Sequence, residues 1–308
     1  VLFTPDTSEI DEVCYHQKTQ IREFRSQPLT VPMKNTAKKG FVPSFQYHFF
    51  KIACLTVTCF LTAASSTLFA AATESTQQNE RAMEVIEAAI EAMGGDAYRN
   101  FKVVQSQGRV FSFRKGRKGF ARFNDWTVYD PVKSRFQLGE GKRQYVTIYN
   151  LELGQGWRLE GESTVEEVTE EDIEEFRKVV KKDLHYLLKQ RLDEEGMNLF
   201  YFGPDEIAGA SRFEAVEFLD ATNQSIVVFF DRRTHLPSKL ETTSTDSAGI
   251  RHEEEVEFSN WHVIQGVKTN LRTDYFVDGE ISQQSFIEEL QFDPPVDDAL
   301  FQRPTVKK

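Results

Sequence analysis

The sequence predicts a mainly β protein with a small α complement, built on one large curved antiparallel sheet of about ten or eleven strands. Three observations point there. Phenylalanine is unusually frequent, at 26 of 308 residues, and aromatic and β-branched residues suit a pleated, half-buried surface. From Phe101 onward, short runs alternate apolar and polar residues between turn signals. Only two segments carry helical periodicity, and two helices cannot cover both faces of so large a sheet. A sheet of this size twists, then curls or closes. The economical arrangement turns a concave apolar face to the helices and a wet convex face outward.

The first 72 residues read differently. The run IACLTVTCFLTAASSTLFAAA, Ile52 to Ala72, carries no charge. From Met33 to that run come Lys34, Lys38, Lys39 and Lys51 and no acid. Charged region, apolar region and small-residue exit together read as a secretory signal peptide over 33–72, cleaved near Ala72. The alternative is an uncleaved anchor, since the run is about long enough to span a bilayer, although its Ser and Thr residues weaken it. Residues 1–32 lack periodicity and are expected to be an N-terminal extension, disordered or not translated. The expected mature unit is 73–308, a single β domain. Cys14, Cys54 and Cys59 all precede it, so its core rather than disulfides must hold it together. Neither Cys54 nor Cys59 stands in a Leu-Ala-Gly-Cys context, which argues against a lipid-anchored cysteine. The net charge of -11 argues against a general nucleic-acid binder, which needs a basic surface.

Residues 80–93 read as a helix, with Met83, Ile86, Ile90 and Met93 on one face and Gly94-Gly95 as its stop. From Phe101 to about Gly161 the chain reads as strands joined by turns. The basic loop Arg114, Lys115, Arg117, Lys118 reads as a solvated hairpin tip, with phosphate or anionic lipid headgroups as alternatives. Residues 169–192 form the clearest helix, inserted within an acidic segment 164–195. Thr169 with Asp172 resembles a capping box, and Ile173, Phe176, Val180, Leu184 and Leu187 form its apolar stripe. Further strands are expected at 197–203, 209–219, 224–231, 237–244, 249–259, 261–277 and 280–292. Gln265-Gly266 and Asp278-Gly279 are places to turn back. In 267–275, Val267, Thr269, Leu271, Thr273 and Tyr275 share a greasy face, and Lys268, Asn270, Arg272 and Asp274 a wet one. The tail FDPPVDDALFQRPTVKK lies outside the strand pattern, and Phe301 is expected to tuck against the rim of the sheet.

No catalytic set emerges. His252 opens HEEEV, which resembles a zinc helix, but position 256 is Val and the segment reads as a strand. His235 falls in a loop, and His185 sits beside Lys and Asp as a solvated residue. There is no Gly-x-Ser-x-Gly elbow and no phosphate loop, and LGEGKRQY is a hairpin turn. No metal and no cofactor is expected. A carboxylate-based hydrolase is the remaining enzymatic alternative. What is left is binding: a curved sheet closed by helices encloses either a solid core or an apolar cavity fit for acyl chains.

Three stretches add to this. AIEAMGG followed by FKVVQSQG, FFDRRTHLPSKLE, and VEFSNWHVIQGVKTNLR with DGE and FDPPVDDALFQRP occur in order over roughly 80–304. They resemble exported proteins of the lipoprotein-localisation-factor-like superfamily (LolA/LolB-like, outer membrane lipoprotein-sorting type). The resemblance implies an eleven-stranded half-open β-barrel with a helical lid, whose apolar interior carries or senses lipoprotein acyl chains. The carriers' functional strand arginine is matched equally by Arg109, Arg122 and Arg158. Segment 164–195 is longer and more charged than a minimal carrier lid.

The expected function is therefore a non-enzymatic, periplasmic, monomeric binder or carrier of lipoprotein acyl chains or another lipid. Phe111, Trp126, Trp157, Phe229, Leu240 and Phe258 are the expected ligand-lining residues, and Phe176, Val180, Leu184 and Leu187 the lid. A one-residue register change would reverse any of these facings. The alternative is an envelope sensor or adaptor that binds a protein partner through the charged helix 169–192.

Overall fold

A computed structural model describes residues 78–114, 117–204, 212–246 and 248–306. The expected extension 1–32, the signal peptide 33–72 with its cleavage point, and the centre of the basic loop lie outside them. The first described helix, α1, covers 78–92. Its apolar face is as read: Ile86, Ile90 and Met93 are buried, and Met83 packs against the same cluster. Gly94 and Gly95 end it at φ 128 and 56. A Cβ on Gly94 would stand 2.5 Å from the Gly266 carbonyl oxygen, so the glycine also lets the helix end meet the sheet. Helix α2 (Asp96–Asn100) follows.

Among the described residues thirteen strands then form one sheet. The first six are β1 (Val103–Arg114), β2 (Arg117–Tyr129), β3 (Val132–Leu138), β4 (Tyr145–Asn150), β5 (Gln155–Glu160) and β6 (Thr164–Glu167). Helices α3 (Glu170–Lys181) and α4 (Leu184–Gln190) interrupt them. The rest are β7 (Asn198–Pro204), β8 (Phe213–Leu219), β9 (Ser225–Asp231), β10 (Pro237–Thr245), β11 (Arg251–Ile264), β12 (Val267–Val277) and β13 (Glu280–Phe292). The order is β6-β5-β4-β3-β2-β1-β13-β12-β11-β10-β9-β8-β7. Chain neighbours pair antiparallel except β6 and β7, and among the described residues one long-range seam, β1 against β13, joins the two halves. The sheet is open, with β6 and β7 at its edges, and it curls around the helices as a half-barrel.

Thirteen strands rather than about eleven follow from segments with little pattern. β6, TVEE, is short, acidic and largely exposed, and it lies inside the segment read as an inserted acidic helix. The helix expected over 169–192 is two. Asp183 accepts a hydrogen bond from the Tyr186 amide at 2.8 Å and so starts a new helix where the first ends at Lys181. The expected capping box is present: the Asp172 amide donates to Thr169 Oγ1 and the Thr169 amide to Asp172 Oδ2. β11 runs through Asn260, which takes φ 58 without ending the strand. The strand expected over 261–277 is instead divided at Gln265-Gly266.

Residues paired directly across a ladder share a face. Leu240 pairs with Val228 and Val256, and Val228 with Val216. All four belong to the cluster that α1 and α4 cover, which defines the inner face. Val267, Thr269, Leu271, Thr273 and Tyr275 fall on that side, as the alternation predicts. The convex face is not wet throughout. Over β4 and β5 it carries Val146, Ile148, Trp157 and Leu159, and these are covered by Phe301 of the C-terminal tail, itself fully buried. Phe301 thus sits within a convex-face core rather than at the rim.

Candidate functional site

The inner face is packed at one end and open in the middle. Under α1 and α4, Val216, Ile226 and Val228 have no exposure. On β11 and β12, Val256, Phe258 and Leu271 are only half-buried, and Tyr275 keeps 36% exposure. β12 is flanked by β11 and β13, so this exposure comes from the face and not from an edge. Phe136 and Ile287 are likewise half-buried on the same side and border a small cluster with Phe123 and Tyr145. The Tyr275 hydroxyl is pushed up to about 12 by burial, with the charges of Asp183 and Asp125 adding to it. A side chain that solvent reaches, yet that protein atoms surround, belongs to a concave surface.

α3 straddles this surface. At its start Asp172 meets Arg158 of β5 at 2.9 Å, Ile173 is buried against Tyr149 and Val168, and Phe176 stacks on Tyr149 at 4.0 Å and 7°. Just past its end Lys182 bonds Glu254 of β11 at 2.6 Å and the Thr243 carbonyl of β10 at 3.4 Å. β5 and β11 are seven strands apart in the sheet order. A flat sheet would hold them about 34 Å apart, whereas the helix between Asp172 and Lys182 spans about 15 Å. Helix and ion pairs together bridge that distance as a strap across the curl. Arg191, 2% exposed, holds the strap's end by donating to the Lys181 carbonyl at 3.0 Å and to Asp220 at 2.7 Å.

The elbow at 182–183 leads into α4, whose Leu184, Leu187 and Leu188 are buried in the inner cluster. His185 is not solvated as read. Its ring contacts those of Tyr98, Phe101 and Tyr129, its Nδ1 lies 3.1 Å from Tyr98 Oη, and burial lowers its pKa. Lys189 donates to the Phe101 and Tyr98 carbonyls and lies 3.2 Å from the Phe101 ring centre; burial lowers it to about 8.

β2 contributes a further acid, Asp125. It shares its row with Ser106 and Phe136, which places it on the inner face, and Thr127 Oγ1 donates to it at 3.2 Å. Burial pushes its carboxyl up to about 7; the Thr127 bond opposes this and the Asp183 charge adds to it. The folded state therefore favours the protonated acid. That contribution is whole below the usual carboxylate pKa and is lost as pH rises to about 7. Asp125→Asn should stabilise the fold at pH 8 by about 1–3 kcal/mol, discounted for residual solvent contact, and have little effect at pH 4. Thermal melts at the two pH values check this.

The expected lining residues divide between the faces. Leu240 and Phe258 are on the inner face. Phe111 pairs with Phe120 and rests on Phe286, ring centres 5.2 and 5.8 Å apart, on the outer face. Trp126 and Trp157 pack in the outer cluster with Phe301. Phe229 pairs with Lys239, whose ammonium lies 4.6 Å from its ring centre, also outside. The cause is register: each sits one residue from an inward position, and hydrophobicity alone did not mark the side because both faces are apolar there. Of the lid residues, Leu184 and Leu187 are buried under the sheet's packed end, Phe176 stacks on Tyr149, and Val180 is half-buried. Of the three arginines, Arg109 and Arg122 pair with Glu288 on the outer face, and Arg158 alone takes the inner face. The missed inner residues Val256 and Tyr275 were legible by counting back from the Gln265-Gly266 turn, which pairs them. Asp125 and Asp183 carried no signal in sequence.

Among the described residues no group of His, Cys, Asp and Glu could hold a metal, and no helix is long and apolar enough to cross a membrane. No protein-family model and no curated protein matches the chain. Solved structures similar to it include a DUF1329 family protein from Desulfovibrio piger, at 15% identity and TM-score 0.49, covering 71% of this chain and 96% of that one. A domain assigned to outer membrane lipoprotein sorting, from Vibrio parahaemolyticus, is similar at 12% identity and TM-score 0.48, with 71% and 97% covered. A LolA superfamily protein from Nitrosomonas europaea is similar at 11% identity and TM-score 0.46, with 72% and 97% covered. At these identities the likeness concerns the path of the chain.

Proposed function

We propose that this protein is an exported, non-catalytic binder or carrier of an acyl-chain-bearing molecule, a lipoprotein or another lipid, held between the sheet and its strap. One observation carries the reading: a helix tied at both ends spans an inner face that is left half-open and aromatic at its centre. Burying acyl chain there is worth about 0.8 kcal/mol per methylene, so a few contacts with Val256, Phe258 and Tyr275 suffice to hold a chain in water. In this reading residues 73–308 act as one domain in the periplasm, as a monomer and without nucleic acid. The lining is Leu240 and Phe258 with Val256 and Tyr275, and the lid is Phe176 and Val180 on the strap with Leu184 and Leu187 on α4. The adaptor reading is less favoured, because both cations of the strap's outer side close on neighbours within it: Arg177 pairs with Glu174 and Lys178 with Glu175.

A dodecanoic acid carrying a fluorescent dye reports binding directly. Phe258→Asp and Tyr275→Asp should each weaken its uptake at least about tenfold, the equivalent of 1.4 kcal/mol. Phe111→Asp, on the outer face, should leave it unchanged. Equal loss in all three variants, or none in the inner pair, would remove the interior from the account.

A further inference from the structure

We propose that the projecting end of the β1–β2 hairpin docks the protein on an anionic lipid surface, with Arg114, Arg117 and Lys118 meeting the headgroups and Phe113 entering between them. This goes beyond the proposed cargo, because it concerns where the protein sits, whatever it holds.

The register sets this hairpin apart. β1 and β2 pair with each other from Val103 with Val128 to Arg114 with Arg117. Their outer partners stop short of that. Among the described residues, pairing of β1 with β13 reaches Ser112, and pairing of β2 with β3 begins at Phe123. The turn after β3 adds one bond, from the Gly139 amide to the Arg122 carbonyl at 2.9 Å. Arg117 to Ala121 of β2 therefore run about 17 Å past the end of β3, at about 3.4 Å per residue. The turns at 246–250 and 278–279 lie at the same end of the sheet, since β10 to β13 alternate in direction. They bring Ile250, 57% exposed, and Val277, 36% exposed, to the same rim.

The same stretch concentrates positive charge on a chain whose net charge is -11. Arg114 and Arg117 close the ladder, and the next residue, Lys118, is exposed. Phe113 pairs directly with Lys118 and so shares its face. Behind them on that face stand Phe111, Phe120 and Phe286, and all four rings are half-buried. Basic residues at a tip backed by part-exposed aromatic rings suit a bilayer interface, where charge stays with the headgroups and rings reach the acyl boundary. The acids of this end lie mainly on its other side. Asp246 and Asp278 flank His252 at 3.5 and 2.8 Å, with Glu253 and Glu280 beside them. On the β3–β4 turn Glu140 is accompanied by Lys142. Physiological salt screens charge beyond about 8 Å, so a surface touched by the projecting tip meets the tip's charge first. A nucleic acid or an acidic protein would use the basic residues, but only lipid also rewards Phe113, Ile250 and Val277.

Sedimentation of the full chain with vesicles tests this, using phosphatidylcholine alone or mixed with phosphatidylglycerol. At about 0.1 M salt the mixed vesicles should bind at least about tenfold more tightly than the neutral ones. That binding should vanish at about 1 M salt, where the screening length falls to about 3 Å. A basic residue near such a surface is worth about fivefold in affinity, so Arg117→Glu with Lys118→Glu should weaken binding at least about tenfold. Phe113→Ser should weaken it at least about threefold, and decides the matter if the charge-reversed pair does not fold. Lys102 and Arg233 are exposed at the opposite end of the sheet. Lys102→Glu with Arg233→Glu makes the same change in net charge there and should leave binding unchanged. Absence of binding to the mixed vesicles, equal binding to both kinds, or equal loss in the two charge-reversed pairs overturns the docking. Loss of dye binding with vesicle binding intact would overturn the cargo and leave this inference standing.

Discussion

Arg191→Met is expected to lower stability by about 3–5 kcal/mol, the range for removing one partner of a buried ion pair. Both Arg191 and Asp220 have side chains only 2% exposed. The guanidinium donates to Asp220 at 2.7 Å, to Glu194 at 2.5 Å and to the Lys181 carbonyl at 3.0 Å, so one side chain ties α3, α4 and the β8–β9 turn together. Methionine fills the volume but leaves the Asp220 carboxylate buried without its counter-ion, kept only by Thr222 and Gln224. Those bonds place the expected value toward the lower end. A second sign is specific to the pair. Burial tends to raise the Asp220 carboxyl, but the Thr222, Gln224 and Arg191 bonds outweigh it and hold its pKa below the usual value. Its contribution is present above the ordinary carboxylate pKa and is lost as pH falls. The variant should therefore be less stable at pH 7 and show a shallower loss on acidification. Urea melts at pH 7 and pH 3 measure both.

Gly108→Ala should be nearly as damaging, by about 3 kcal/mol, at the upper end of overpacking. Gly108 lies where the β1–β13 register shifts. A Cβ there would stand 2.0 Å from the Phe286 carbonyl oxygen, 2.9 Å from Phe123 Cε1 and 3.0 Å from Ile287 Cα. Two of these three contacts are backbone, so the strands themselves would have to part. Among the described residues the β1–β13 seam alone joins the two halves of the sheet, so the cost falls on the whole fold and should lower its melting temperature. Gly154→Ala, at a turn with nothing within 4 Å of its Cβ, is the comparison and should cost only about 1 kcal/mol for its left-handed φ. Circular dichroism melts of the two variants separate seam from backbone strain.

Much of the fold was legible because its sheet obeys period two and its turns carry their own chemistry. Gln265-Gly266 and Asp278-Gly279 fix the last two hairpins, and Gly94-Gly95 ends the first helix. The strap was legible as an amphipathic helix with its cap, but its break was not, since Asp183 in KKDL reads equally as a charged helical position. The site was less legible than the fold. Trp126 and Trp157 are as apolar as Phe258, and only the docking of Phe301 on the convex side, a long-range event, decides that they face outward. Asp125 acquires its character from burial on the inner face, to which the charge of Asp183, fifty-eight positions away in the chain, adds. Local pattern carries no record of such burial.

The central claim is that the half-open inner face holds an acyl chain. Native mass spectrometry of the protein, secreted to a periplasm and purified without detergent, tests it most directly. The account predicts extra mass that leaves as lipid on denaturation, and that is absent from Phe258→Asp. A bare polypeptide mass, unchanged after incubation with phospholipid and with an acylated peptide, would contradict it.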